Sequence, residues 1–287
     1  MKAKKSQLTL FIVLGVFIVI VASLIFFLKG YSAKREMQKE VILTQKESER
    51  SKPLRTFVEQ CLEKQSKDGL LLAGKQGGYT FNTTAQKGLT DITAGVKNVD
   101  FVNRTVFGSD IHIPFFVAAS SPVFSLQPIE DDAGSIGEQL QAFINNTITD
   151  CTDFSSFRKQ GIYVNSSWHN VAVEISENKI NVELDFPLAA EYKKTGQKES
   201  IGGFSTIINT RLEQIYSDVV VPVLNDINAN PNQHITDTSS WSSLLAGVTV
   251  TIDGSDSSYD IVKITDADVN YNVRGEEFSF WFVKDNW

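Results

Sequence analysis

The chain offers few side chains that could do chemistry, and their spacing decides which chemistry is open to them. His112, His169 and His234 are its only histidines. No two lie at the short intervals that build a zinc site on one turn or one hairpin. Ser166-Ser167-Trp168-His169 sets serine near histidine. It lacks the G-x-S-x-G frame that strains a nucleophilic serine into position, so it predicts no acyl-transfer site. Asp266, Asp268, Asn270, Asn272 and Glu277 place oxygen ligands at the first, third, fifth, seventh and twelfth positions of a calcium-type loop. Tyr271 stands at the sixth position, where the sharp turn needs glycine, and strand-like sequence flanks the segment. The expectation is a polar connection between two strands, with no metal and no cofactor. Asp253-Gly254-Ser255-Asp256 reads as an ordinary Asp-Gly turn.

Cys61 and Cys151 are the two cysteines, and no C-x-x-C is present. An even count without metal spacing suits a structural disulfide outside the cell. Each cysteine lies on or at the end of an amphipathic stretch, Cys61 beside Phe57, Val58 and Leu62, and Cys151 after Phe143, Ile144 and Ile148. Joining those apolar faces would bring the sulfurs together. Four N-x-[ST] sequons, at Asn82, Asn103, Asn145 and Asn165, are candidate glycosylation sites.

The element that must place these residues is Leu8–Leu28, LTLFIVLGVFIVIVASLIFFL, which has no charge and no proline. As a helix it would be about 30 Å long, the thickness of a bilayer's hydrocarbon core. It is longer than a secretory h-region and ends without a small-residue cleavage pattern, which predicts a retained anchor. Lysines flank it on both sides, so charge alone leaves its orientation open. The cysteines and sequons favour a cytoplasmic N-terminus and an extracellular C-terminal domain. The predicted organisation is a basic leader over 1–7, a transmembrane helix over 8–29, a charged helical stalk over 30–53, and an extracytoplasmic head over 54–287. Residues 1–80 hold 14 Lys and Arg against 7 Asp and Glu, whereas residues 81–287 hold 13 against 27. An acidic head repels phosphate backbones, which argues against nucleic acid as a partner.

Within the head, Leu54–Ala73, Ser135–Asp150 and Ser205–Asn228 carry apolar residues at three- and four-residue intervals and predict helices. Pro222 should kink or split the last of them near Asp218–Val221. Val99–Phe107, Ile111–Ala118, Leu245–Asp253, Tyr259–Thr265 and Phe278–Val283 read as strands, and Val171–Ser176 with Lys179–Phe186 as a hairpin about Glu177-Asn178. The fold class is α+β, an antiparallel sheet with about three helices. Gln76-Gly77-Gly78-Tyr79 predicts a helix-ending turn with the tyrosine packed beneath it, the alternative being a binding loop.

Two stretches resemble known families. Phe57-Val58-Glu59-Gln60-Cys61-Leu62 followed by Gln76-Gly77-Gly78-Tyr79 looks like the pattern of uncharacterised archaeal exported proteins with an N-terminal membrane helix. The resemblance continues through Phe186-Pro187-Leu188 and Glu277–Val283 and implies no activity. The basic leader before Gln7 resembles the class III signal peptides of archaeal type IV pilin-like proteins. Ser6 replaces the usual glycine, and Phe11 stands where the mature helix often has glutamate. The expected function is a non-catalytic cell-surface protein of structural or binding role. Its partners are the lipid bilayer and, through the head, other envelope proteins or itself. A pilin-like filament subunit is the alternative, and an exported enzyme the third reading.

Overall fold

The computed structural model describes residues 49–80, 101–106, 109–117, 134–229, 235–253 and 258–285. The chain divides into two units, Met1–Lys52 and Pro53–Trp287. The leader, the membrane helix over 8–29 and the stalk to residue 48 lie outside the described residues. Among the described residues no helix is long and apolar enough to cross a membrane.

Helix α1, Lys52–Lys75, starts where Ser51 and Pro53 signal a start. It buries Leu54, Val58, Cys61, Leu62, Gln65, Ser66, Gly69, Leu70 and Ala73, a stripe at three- and four-residue steps. The stripe is only partly apolar, because small residues let neighbours come close. A Cβ on Gly69 would sit 2.7 Å from Phe143 Cδ1. The helix ends in a Schellman turn, in which Gly78 N–H donates to Ala73 O at 2.6 Å and Gly77 N–H to Gly74 O at 3.3 Å. Gly77 has φ +57°, and a Cβ there would meet the Trp281 carbonyl at 2.9 Å. Tyr79 is fully buried, as the turn reading expects. Helix α2, Ile136–Cys151, is capped by Ser135, whose hydroxyl accepts from Glu138 N–H at 3.1 Å. Glu138 reaches back to Gly134 N–H at 2.8 Å, a reciprocal arrangement that satisfies two otherwise open donors. The short helix α3, Ser155–Lys159, follows.

The described strands form three sheets, not the single antiparallel sheet expected. β1 (Phe101–Val106), β2 (Ser109–Val117), β9 (Val248–Ile252), β10 (Tyr259–Asp266) and β11 (Ser279–Asp285) make a five-stranded sheet in the order β1-β2-β11-β10-β9. Its β2–β11 pair is parallel, which corrects the all-antiparallel expectation. The long connection between these two strands carries the rest of the head and returns the chain in the same direction. β11 is buried on both faces, so it reads as an unbroken run, Ser-Phe-Trp-Phe-Val-Lys. Phe280 and Phe282 enter the main core with Phe278. Trp281 and Val283 join Ile111, Ile113 and Ile261 in a second cluster.

The two other sheets are antiparallel throughout. β3 (Ile162–Ser166), β6 (Leu188–Tyr192) and β7 (Gln197–Ile201) form one. β4 (Asn170–Ser176), β5 (Lys179–Asp185) and β8 (Phe204–Asn209) form the other. The β4–β5 hairpin turns at Glu177-Asn178, as predicted, and packs against α2.

The expected helix over Ser205–Asn228 is corrected at its start. Residues 204–209 are strand β8, and the helix begins at Leu212. Gly202-Gly203 and the β-branched Thr206, Ile207 and Ile208 favour extension there, whereas Ile208, Leu212, Ile215 and Val219 at three- and four-residue steps suggest helix. Helix α4, Leu212–Gln214, runs through a π-helical segment, Ile215–Val220, into α5, Val221–Ala229. Val221 N–H donates to Tyr216 O, five residues back. Pro222 has no N–H to continue the ladder, and the widened turn absorbs that loss next to it. A short helix, α6 (Ser239–Ser242), is tied to α5 by Trp241 Nε1, which donates to Asp226 at 2.8 Å.

Candidate functional site

The two cysteines meet. Helices α1 and α2 pack through Gly69 and Phe143, and the Cα atoms of Cys61 and Cys151 are 5.9 Å apart, within the range a disulfide spans. The histidines do not meet. His112 lies on β2, His234 is outside the described residues, and His169 Nε2 sits 2.8 Å from the Asn145 carbonyl. A carbonyl only accepts, so Nε2 of His169 is the donor in this contact.

Of the four sequon asparagines, Asn82 is outside the described residues and Asn103 lies on β1, opposite His112. Asn145 is half-buried within α2 with its Oδ1 enclosed, and Thr147 Oγ1 donates back to Phe143 O at 2.8 Å. Asn165 is exposed on β3 with Ser166 and Ser167 exposed after it.

The residues of the calcium-type loop have other occupations. Asp266, 1 % exposed, receives Nε of Arg211 at 3.0 Å and Nη2 at 2.5 Å. Arg211 Nη1 donates to the Ala246 carbonyl at 2.8 Å, and its guanidinium lies over the Tyr271 ring at 5.1 Å. The hydrogen bonds that Arg211 donates to Asp266 hold its pKa above the usual value, against the opposing effect of burial. Asp268 caps the 3-10 turn Val269–Tyr271 by accepting from Asn270 N–H at 3.0 Å. A protein cation therefore stands against the carboxylate that would have led a calcium site. Among the described residues no group of three or more His, Cys, Asp or Glu is arranged to hold a metal ion. The arrangement does mechanical work. It pins the start of α4 to the end of β10 and to the loop at Gly247.

Among the described residues a groove of about 450 Å³ lies between α1 and β8, lined by Thr56, Glu59, Gln60, Glu63, Ser205, Thr206 and Ile207. The helix wall is a polar stripe on the side of α1 opposite its buried face. The strand wall exposes Ile207 at 58 %, one of the most exposed large apolar side chains described. Arg55 is bonded to the lining residue Glu59. Its guanidinium donates to Gly203 O at 2.9 Å and Gly202 O at 3.2 Å, lies over the Phe204 ring at 5.1 Å, and pairs with Glu59 at 3.3 Å. Glu63 pairs with Lys67 one turn on. The chemistry these side chains offer is hydrogen bonding and charge, with one apolar contact at Ile207.

Sequence reasoning missed both Arg211 and this groove. Arg211 bonds across 55 residues, a distance at which no local pattern speaks. The groove depends on β8, and a legible signal for that strand existed in Gly202-Gly203 followed by Phe-Ser-Thr-Ile-Ile. Compared with known proteins, the chain matches no family model, no curated protein and no solved structure.

Proposed function

We propose that this chain is a single-pass membrane-anchored cell-surface protein whose extracytoplasmic head has a structural or binding role and performs no catalysis. The observation that carries the reading is Leu8–Leu28, whose length and lack of charge match a bilayer core. Two further features support it. The head forms a compact unit of its own, Pro53–Trp287, and its two cysteines lie at disulfide distance, as suits an oxidising compartment. The basic leader ahead of Gln7 favours a second reading, in which the leader is removed and the apolar helix packs in a filament core.

Alkaline carbonate extraction of native membranes tests the first reading. The full chain should stay in the pellet, and a chain started at Pro53 should be soluble. Release of the full chain into the aqueous phase would end the anchor assignment. An N-terminal mass beginning at Gln7, together with filaments seen by electron microscopy, would transfer the conclusion to the second reading.

A further inference from the structure

We propose that the groove between α1 and β8 binds an extended, basic peptide segment of a partner protein, which adds to β8 as a fourth strand. The proposal rests on the head being a binding module and is independent of the anchor.

Strand β8 is an edge of its sheet, paired on one side only, with β5. In an antiparallel ladder, hydrogen-bonded and non-hydrogen-bonded residue pairs alternate. Thr210 N–H donates to Asn178 O at 3.1 Å, one position beyond the Lys179–Asn209 pair. Thr210 therefore belongs to the hydrogen-bonded set, and so do Ile208, Thr206 and Phe204. Ser205 and Ile207 fall in the other set. Their N–H and C=O groups point away from β5, toward the groove that these same residues line. Two donors and two acceptors are thus presented in strand geometry beside a helix wall. Extended peptides are recognised in this way, with main-chain bonds supplying affinity and alternate side chains supplying choice.

The groove's side chains specify the occupant. An apolar residue of the incoming strand would cover Ile207, which the fold leaves exposed at 58 %. Its neighbours, on the opposite face of that strand, would meet Glu59 and Glu63. Each glutamate is the more exposed member of a part-buried pair with a basic neighbour on α1, Glu59 with Arg55 and Glu63 with Lys67. Glu183, across the ladder from Ser205, and Glu174, across from Asn181, add negative charge on the sheet's outer face. Arg55, the basic partner of Glu59, is held on the Gly202 and Gly203 carbonyls. The charge complement is therefore lysine or arginine alternating with an aliphatic residue.

Fluorescence anisotropy tests this with the full-length chain in a mild non-ionic detergent. The probe is a labelled, capped peptide of about nine residues alternating lysine and valine, a common strand length. Three changes should each weaken binding. N-methylation of the peptide at alternate residues should do so by about tenfold or more, the equivalent of one or two lost hydrogen bonds. Ile207→Pro should do the same, since that N–H faces away from β5 and proline is tolerated at such an edge position. Glu59→Gln with Glu63→Gln should weaken binding roughly threefold to tenfold and flatten its salt dependence. A glutamate–valine peptide should not bind. If the N-methylated peptide and Ile207→Pro bind as well as their parents, the contact is charge adsorption and strand addition is overturned. If the chain instead forms a dimer that Ile207→Pro dissolves, β8 pairs with a second copy and the peptide proposal fails. The N-methylated peptide leaves the protein unchanged, so a variant that misfolds does not rescue the idea. None of these outcomes alters the membrane-extraction result.

Discussion

A few residues carry more of the fold than their types suggest. Arg211 and Asp266 form a bidentate pair that is almost wholly buried. Removing one partner strands a charge in a low-dielectric site, so Arg211→Met should cost about 3–5 kcal/mol in urea unfolding. Arg211→Met with Asp266→Leu should recover much of that loss, because no buried charge remains. Gly69 is fixed by Phe143. Gly69→Val should cost about 1–3 kcal/mol through overpacking, even though glycine is the poorer helix former. Burial raises the Tyr216 phenol to about 12. The folded form then keeps its proton at a pH where the unfolded phenol, near 10, has lost it. The sign follows. This tyrosine's contribution is intact below about pH 10 and declines as pH rises toward 12, at up to about 1.4 kcal/mol per pH unit. Buried Lys284 acts in the opposite sense, since burial lowers its pKa and unfolding is favoured while the unfolded amine alone is charged. In an alkaline titration, the phenolate absorbance of Tyr216 should appear only as the head unfolds.

Elements show where the sequence spoke plainly. α1 and α2 were legible because stripes at three- and four-residue steps coincide with a Ser-Pro start, a Ser135 cap and a Gly-Gly stop. The β4–β5 hairpin was legible from clean alternation about a two-residue turn. β8 was not, because Ile207 and Ile208 fit either period and only Gly202-Gly203 separated it from the preceding strand. β3, β6 and β7 escaped notice because their alternation is carried partly by alanine, serine and glycine-flanked turns rather than by aliphatic residues. The parallel β2–β11 pair could not be read at all, since its register is set by everything folded between the two strands. Of the candidate site, the cysteine pair was foreseen from two amphipathic faces. The α1–β8 groove was not, because it required knowing that residue 205 begins no helix. The cysteine pair belongs to this scale. Joining α1 to α2 across a separation of 90 residues should contribute about 4–5 kcal/mol on the chain-entropy model. Reduction, or Cys61→Ala with Cys151→Ala, should lower the urea midpoint accordingly and leave the far-ultraviolet spectrum of the folded state unchanged.

At the scale of the whole molecule, an apolar run and a basic base precede a self-contained acidic head. Its cysteine pair links the first helix after residue 52 to the body of the head, so a pull on the chain at Pro53 would load the domain as a unit. The central claim is that this head is held outside the cell by Leu8–Leu28. Protease shaving of intact cells, read by intact mass of the released fragment, tests it directly. The account predicts a soluble fragment cut between residues 30 and 53, carrying no free thiol and gaining the mass of two hydrogen atoms only on reduction. A head that is protected until the cells are lysed, or that emerges with two free thiols, would contradict it.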